Sequence, residues 1–284
     1  MNDLKFDDVI PVFDDSHHEM PFIITSVPEA EPIRLYDYYS DKVEYYKSCE
    51  MQTKRWMVRN IKPDWNIIDA GANIGCHSIL MARLAHQGQV LAIEATENTK
   101  KLQTNIIRNK ISNIEILQAP LGDEVKYKKD KIHHNWGEEP IQLEARYETL
   151  DSIYDQLGRP KIDLIKIDVD GYDLEVIKGG LRLLREQKPV IIIEINHALL
   201  TRGVYPTEVL NFCTNHGYAK AKVLDLENYV LEPTDGTSCQ DSEPTMSLSF
   251  DNEPMYLTDQ RIEADWSVMA IEQIKSLENG SFDS

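Results

Sequence analysis

Residues 66–75 read NIIDAGANIG: a short apolar run that closes on a carboxylate, Asp69, and passes into a turn punctuated by Gly71 and Gly75, with Asn73 between them. A short apolar run of this length, bounded by glycine, reads as a strand. The residues that follow, 74–85, put Ile79, Leu80 and Leu84 on one side of a helix. A strand that leads through a glycine turn into a helix is the opening unit of a nucleotide-type site. Glycine lets the backbone approach a ligand closely, and the start of the helix offers unpaired N–H groups.

Working outward, the alternation of strand and helix continues. Residues 90–95 form the next strand, ending near Glu94; Leu102 and Ile106 mark the inner face of a second helix; residues 114–117 are a third strand. Residues 119–150 read as an antiparallel excursion with short strands at 125–127 and 141–145. Residues 163–168 (DLIKID) are the fourth core strand, followed by Leu174, Ile177, Leu181 and Leu184 at the spacing of a single helical face. Residues 190–195 (VIIIEI) are a fully buried strand, 209–216 a further helix, and 218–224 with 229–231 a closing hairpin. Repeated strand–helix units with β-rich buried runs specify an α/β fold with a parallel, doubly wound sheet.

Of 284 residues, 48 are acidic and 30 basic, a formal net charge of −18. Eight acids against one base lie in residues 1–32 and eleven against two in 233–284, so the stretch between them carries only −2. The acidity belongs to the ends, and a surface for nucleic acid or anionic lipid is disfavoured. Cys49, Cys76, Cys213 and Cys239 form no Cys-x-x-Cys pair, which leaves neither a zinc knuckle nor a redox motif. No stretch has the length of a membrane span or the pattern of a signal peptide, and a cytoplasmic protein is expected. The chain divides into an acidic N-terminal arm (1–38) with one short strand at Phe22–Thr25, a central α/β domain (39–232) whose first part, to residue 60, is helical in composition, an acidic Pro-rich linker (233–254) and a C-terminal helix (255–284). Ile262, Trp266 and Ile274 give that helix an apolar stripe, which would dock on its own domain or on a second copy in a homodimer.

A turn that binds pyrophosphate carries Gly-x-Gly-x-x-Gly. Here Asp69 precedes the first glycine and Asn73 replaces the middle one, which disfavours NAD. A carboxylate at the strand end holds an ammonium group, so the pattern suits S-adenosylmethionine, with its zwitterionic amino-acid part and cationic sulfonium. Glu94 lies 25 residues beyond Asp69, at the end of the second strand, where an acid accepts both hydroxyls of a ribose. Asp69, Gly71, Asn73, Gly75 and Glu94 are therefore the expected cofactor residues, with Asp168 lining the site and Asp123 meeting the adenine after the third strand.

Residues 44–232 resemble the FkbM-type S-adenosylmethionine-dependent methyltransferases. The resemblance is carried by IIDAGANIGCHSILMARL (67–84), GQVLAIEA (88–95), TLDSI (149–153), IDLIKIDVDGYDLEVIKGG (162–180) and PVIIIEINH (189–197). It implies a Rossmann-like class I methyltransferase fold, with a mostly parallel seven-stranded sheet, helices on both faces and a closing antiparallel hairpin. It also implies methyl transfer to a hydroxyl oxygen of a sugar, glycan or natural product. The chain departs from the family pattern at Ala95, where proline is common, at Asp170, where glutamate is common, and at Cys76, where an aromatic residue is frequent. The competing reading is a catalytically degenerate scaffold whose acidic ends recruit basic partners; the intact Asp69 and Glu94 favour the enzyme.

The candidate catalytic residues end the fourth and fifth strands: Asp168, Glu194 and His197. Imidazole has a pKa suited to taking the proton of a hydroxyl, which makes His197 the expected base. Asp168, Glu194 and Asn196 imitate a Mg²⁺ ligand set, but no lysine or further carboxylate at the expected spacing completes it, and no metal is expected. Asp170, beside Asp168 at the end of the fourth strand, either faces the cleft or, with Asp173 three residues on, caps the following helix. Lys166 lies inside the fourth strand, and His133, His134 and Trp136 lie in a polar loop that would cover the acceptor.

Overall fold

The computed structural model describes residues 22–25, 30, 33–36, 50–132, 139–225, 227–234 and 246–250. In the N-terminal arm the expected strand, β1 (Phe22–Thr25), pairs antiparallel with β2 (Ile33–Tyr36). The apolar runs then become β3 (Ile67–Ala70), β4 (Val90–Glu94) and β5 (Ile114–Gln118). The excursion is a separate hairpin of β6 (Lys126–Ile132) and β7 (Ile141–Tyr147), longer than the sequence pattern suggests and in register over seven residue pairs. Its connecting loop, with His133, His134 and Trp136, lies outside the described residues. The chain continues through β8 (Leu164–Ile167), β9 (Val190–Glu194), β10 (Lys220–Val223), β11 (Asn228–Glu232) and β12 (Ser247–Phe250).

The main sheet has the order β12-β10-β11-β9-β8-β3-β4-β5, and only β11 runs against the rest. This is the expected Rossmann-like sheet, closed by the antiparallel pair β10–β11. An eighth strand, β12, extends it from within residues 233–254, which the sequence gives as linker. The C-terminal helix expected over 255–284 lies outside the described residues.

Because successive strand residues face opposite sides, the core divides into two layers. Ile68, Ile93, Ile165, Ile167, Ile191 and Ile193 pack with the helices Leu150–Gln156, Asp173–Lys178, Leu181–Gln187 and Pro206–Asn215. Ile67, Ala92, Leu164 and Ile192 pack on the other face with Met51–Asn60, Cys76–Leu84, Asn98–Arg108 and the buried Ile33 and Leu35 of β2. The single helix expected to carry Leu174 through Leu184 is two helices broken at Gly179-Gly180. A Cβ on Gly179 would lie 2.2 Å from the carbonyl oxygen of Gly122, so the chain passes this point only as glycine. The break shifts the inward positions of the second helix to Leu183 and Leu184 and leaves Leu181 partly exposed. Among the described residues no helix is long and apolar enough to cross a membrane.

Candidate active site

The carboxyl ends of β3, β4 and β8 meet at a cleft with about 680 Å³ of empty space, part of it open to solvent. Gly71, Asn73, Glu94, Leu121, Asp168 and Tyr172 are among the residues that line it. The turn after β3 is built for close approach. Gly71 has φ 89°, and a Cβ there would stand 1.7 Å from the carbonyl oxygen of Asp168, so glycine lets the end of β8 lie against the turn. Gly75, at φ 93°, begins the helix Cys76–Leu84, and a Cβ there would meet the Leu102 side chain at 2.4 Å. Gly75 thus shapes the turn and seats the next helix rather than lining the cleft.

Asp69 is 1% exposed, on the sheet face covered by Cys76–Leu84. Its Oδ2 accepts from the Ser78 hydroxyl at 2.5 Å, while Oδ1 has no partner. Burial pushes its pKa up to about 6, against the opposing pull of Lys166 and Ser78. A buried carboxylate oxygen without a donor is costly unless a cation or an N–H reaches it, and that is the demand an ammonium group meets. Glu94 is 7% exposed and has protein donors on both oxygens. Oε1 accepts from the Thr96 amide at 2.8 Å and the Thr96 hydroxyl at 2.6 Å; Oε2 accepts from the Asn73 amide at 2.9 Å. Asn73, itself at φ 48°, is fixed a second time through the Asn98 amide, which donates to its side-chain oxygen at 2.9 Å. Oε2 retains one lone pair toward a ribose hydroxyl, whereas the sequence reading has the whole carboxylate accept two.

At the edge of β8 and β9 the structure gathers a charged cluster. Lys166 is 1% exposed and donates to Asp168 Oδ2 at 2.5 Å. Burial works against its charge, but Asp168, Glu50 and Asp69 together raise its pKa, so it is an ammonium. Glu194 accepts from the Asn196 side-chain amide at 2.6 Å. Burial, with Asp168 and Glu50 nearby, pushes its pKa well above the usual carboxylate range. Oxygen atoms of Glu50, Asp168 and Glu194 lie within 4.8 Å of one another.

Glu50 is the member that sequence reading missed. It precedes the helix Met51–Asn60 at φ 50°, and no local pattern connects it with strands more than a hundred residues later. Behind it stands His77, 7% exposed, with Nε2 3.4 Å from Glu50 Oε2 but outside hydrogen-bond alignment. Burial and the charges of Lys166 and Lys54 hold this imidazole neutral. His77 and Ser78 occupy the first turn of the helix after the glycine turn, the one local signal that could have placed them here.

Other expected residues sit elsewhere. Asp123 is exposed and absent from the cleft lining, where Ala119, Pro120 and Leu121 stand instead, because the chain leaves β5 with its apolar residues turned inward. His197 is exposed too: Asn196 caps its helix by accepting from the Ala198 amide at 2.8 Å, and the first helical residue then projects from the rim. Asp170, by contrast, lines the cleft beside Asp168 and is no cap. It takes a left-handed conformation, φ 50°, and Asp173 fastens the loop by accepting from the amides of Val169 and Gly171 at 3.2 and 3.0 Å.

A family model described as the methyltransferase FkbM domain matches residues 69–220. Methyltransferase sdnD of Sordaria araneosa is 29% identical in an alignment of 202 positions that covers 55% of this chain and 77% of that protein. Among solved structures, methyltransferase FkbM from Methylobacillus flagellatus KT shares 21% identity over 57% of this chain, with a TM-score of 0.40; the match spans only 44% of that longer chain. A SAM-dependent methyltransferase from Aquifex aeolicus shares 12% over 69% of this chain and 98% of its own, with a TM-score of 0.42. The family match runs over more than half of the sequence, from the carboxylate of the glycine turn to the strand that begins the closing hairpin, and the chain belongs to the FkbM methyltransferase family, whose methyl donor is S-adenosylmethionine.

Proposed function

We propose that this methyltransferase acts on a hydroxyl oxygen of a sugar, glycan or other natural product. Bound S-adenosylmethionine supplies an electrophilic methyl group on a cationic sulfur. Asp69 Oδ1 takes the ammonium of the cofactor's amino-acid part, Glu94 Oε2 a ribose hydroxyl, and Gly71 and Asn73 give the close backbone wall of the cleft. In the transfer the acceptor's O–CH₃ bond forms as the S–CH₃ bond breaks, and the hydroxyl proton must leave. The observation that carries the reading is a carboxyl group poised to receive it. Burial, with Asp168 and Glu50 nearby, makes the Glu194 carboxylate a stronger base than an ordinary one, and an oxygen of it lies within 4.8 Å of one of Asp168, which lines the cleft. His197, on the exposed rim, is not needed for this step.

The test incubates the chain with S-adenosylmethionine and a panel of hydroxylated acceptors beside their amine analogues, and reads products by mass. Hydroxyl acceptors should gain one methylene. Glu194→Gln should lose turnover by about a hundredfold with S-adenosylhomocysteine affinity near wild type, and His197→Ala should stay within a few-fold. Methylation of amines alone, or a strict requirement for His197, would reject the assignment.

A further inference from the structure

We propose that Glu50, Asp168 and Glu194 form a site for a hard divalent cation, Mg²⁺ or Mn²⁺, at the acceptor end of the cleft. The site rests on the reading above only for its place beside the acceptor; with an ion bound, Glu194 would serve as a ligand, and the ion would acidify the hydroxyl in place of proton uptake by Glu194. One oxygen from each carboxylate lies within 4.8 Å of the other two, a span that a single ion with oxygen ligands at about 2.0–2.6 Å bridges. Each carboxylate is also oriented by a donor: Asn228 Nδ2 to Glu50 Oε1 at 3.1 Å, Lys166 Nζ to Asp168 Oδ2 at 2.5 Å, and Asn196 Nδ2 to Glu194 Oε2 at 2.6 Å. Support of this kind around a ligand set fixes which oxygens remain to face an ion.

The helix start does not use the Glu50 side chain as its cap. A residue at the head of a helix ordinarily uses its side chain as a cap, yet Glu50 makes no such bond. The cap is supplied instead by Asp225, whose oxygens accept from the amides of Gln52 and Thr53 at 2.8 and 2.7 Å. Independently, His77 Nε2 is a buried nitrogen with no hydrogen-bond partner, 3.4 Å from Glu50 Oε2. A neutral imidazole in that place is a further potential ligand or the support of one. Glu50, Asp69 and Asp168 stand around the buried ammonium of Lys166, and Glu194 stands beside Asp168 and Glu50, so carboxylates outnumber the buried lysines near the cluster, Lys166 and Lys54.

The experiment titrates the full chain with MnCl₂ in the absence of cofactor and acceptor, with free Mn²⁺ followed by electron paramagnetic resonance and heat by calorimetry. One Mn²⁺ per chain should bind and be displaced by Mg²⁺. Glu50→Gln and Glu194→Gln should each weaken binding about tenfold or more while leaving the circular dichroism and the S-adenosylhomocysteine affinity unchanged. The wild-type titration stands even if a variant fails to fold. Absence of saturable Mn²⁺ binding to the wild type, or equal binding by both variants, overturns the site. Mn²⁺ binding without hydroxyl methylation would instead fault the acceptor assignment, since the metal is read without turnover.

Discussion

A carboxylate that is 1% exposed and only half satisfied is an expensive way to hold a helix, which is the ground for the ammonium site proposed at Asp69. Its pKa in the folded chain, about 6, exceeds the ordinary 3.8, so the native state binds more protons than the unfolded state between these values. The sign follows: the stability that Asp69 lends is full below its unfolded pKa and disappears as pH rises through about 6. Asp69→Asn should therefore leave the melting temperature at neutral pH unchanged or higher. Affinity for S-adenosylhomocysteine should move the other way, because only the ionised carboxylate attracts an ammonium. Calorimetry should find the wild type losing affinity by up to about tenfold per unit below its apo pKa, and the variant weaker by about 1–3 kcal/mol at neutral pH with little residual pH dependence in this range. A flat wild-type profile from about pH 5 to about pH 8 would remove Asp69 from the cofactor site.

At the scale of elements, the strand–turn–helix unit around Gly71 works because three strand ends share one small volume. The amides of Gly71 and Ala72 both donate to the Ile93 carbonyl at 2.9 Å, and the Asp168 amide donates to the Ala70 carbonyl at 2.9 Å, which ties β3 to the ends of β4 and β8. A methyl group on Gly71 would force the Asp168 backbone away and also demand a left-handed conformation of alanine. Gly71→Ala should cost about 2–4 kcal/mol in urea denaturation and abolish measurable S-adenosylhomocysteine binding. Gly179→Ala belongs to the same class sterically but is not among the residues that line the cleft, which makes it the control that loses stability and keeps cofactor affinity in the population that remains folded.

For the whole molecule, residues far apart in the chain close the acidic end of the cleft. Asp225, in the loop between β10 and β11, caps the helix Met51–Asn60 across 173 and 172 residues of sequence, and Asn228 at the start of β11 reaches Glu50. The closing hairpin thereby positions the head of that helix over the β8–β9 edge. Asp225→Ala should lower stability by about 1–2 kcal/mol, as loss of a cap does, with an unchanged urea m-value. It should also weaken Mn²⁺ binding through Glu50, which a cap with purely local consequences would not do. Unchanged Mn²⁺ affinity in a destabilised, folded Asp225→Ala chain would separate the cap from the cluster.

The sequence alone determined the alternation of strands and helices, the glycine turn after Asp69, the position of Glu94 and the resemblance to the methyltransferase family. Each of these is written in residues a few places apart, where hydrophobic periodicity and backbone demands act locally. Tertiary structure decided what stands opposite them. It brought Glu50 and His77 to Asp168 and Glu194, supplied the third carboxylate that the local spacing lacks, broke one expected helix where Gly179 passes Gly122, placed His197 on the rim and added β12 beside β10. Periodicity records which side of its own element a residue buries. Which distant side chain it then meets depends on how whole layers pack, and no short window of sequence contains that information.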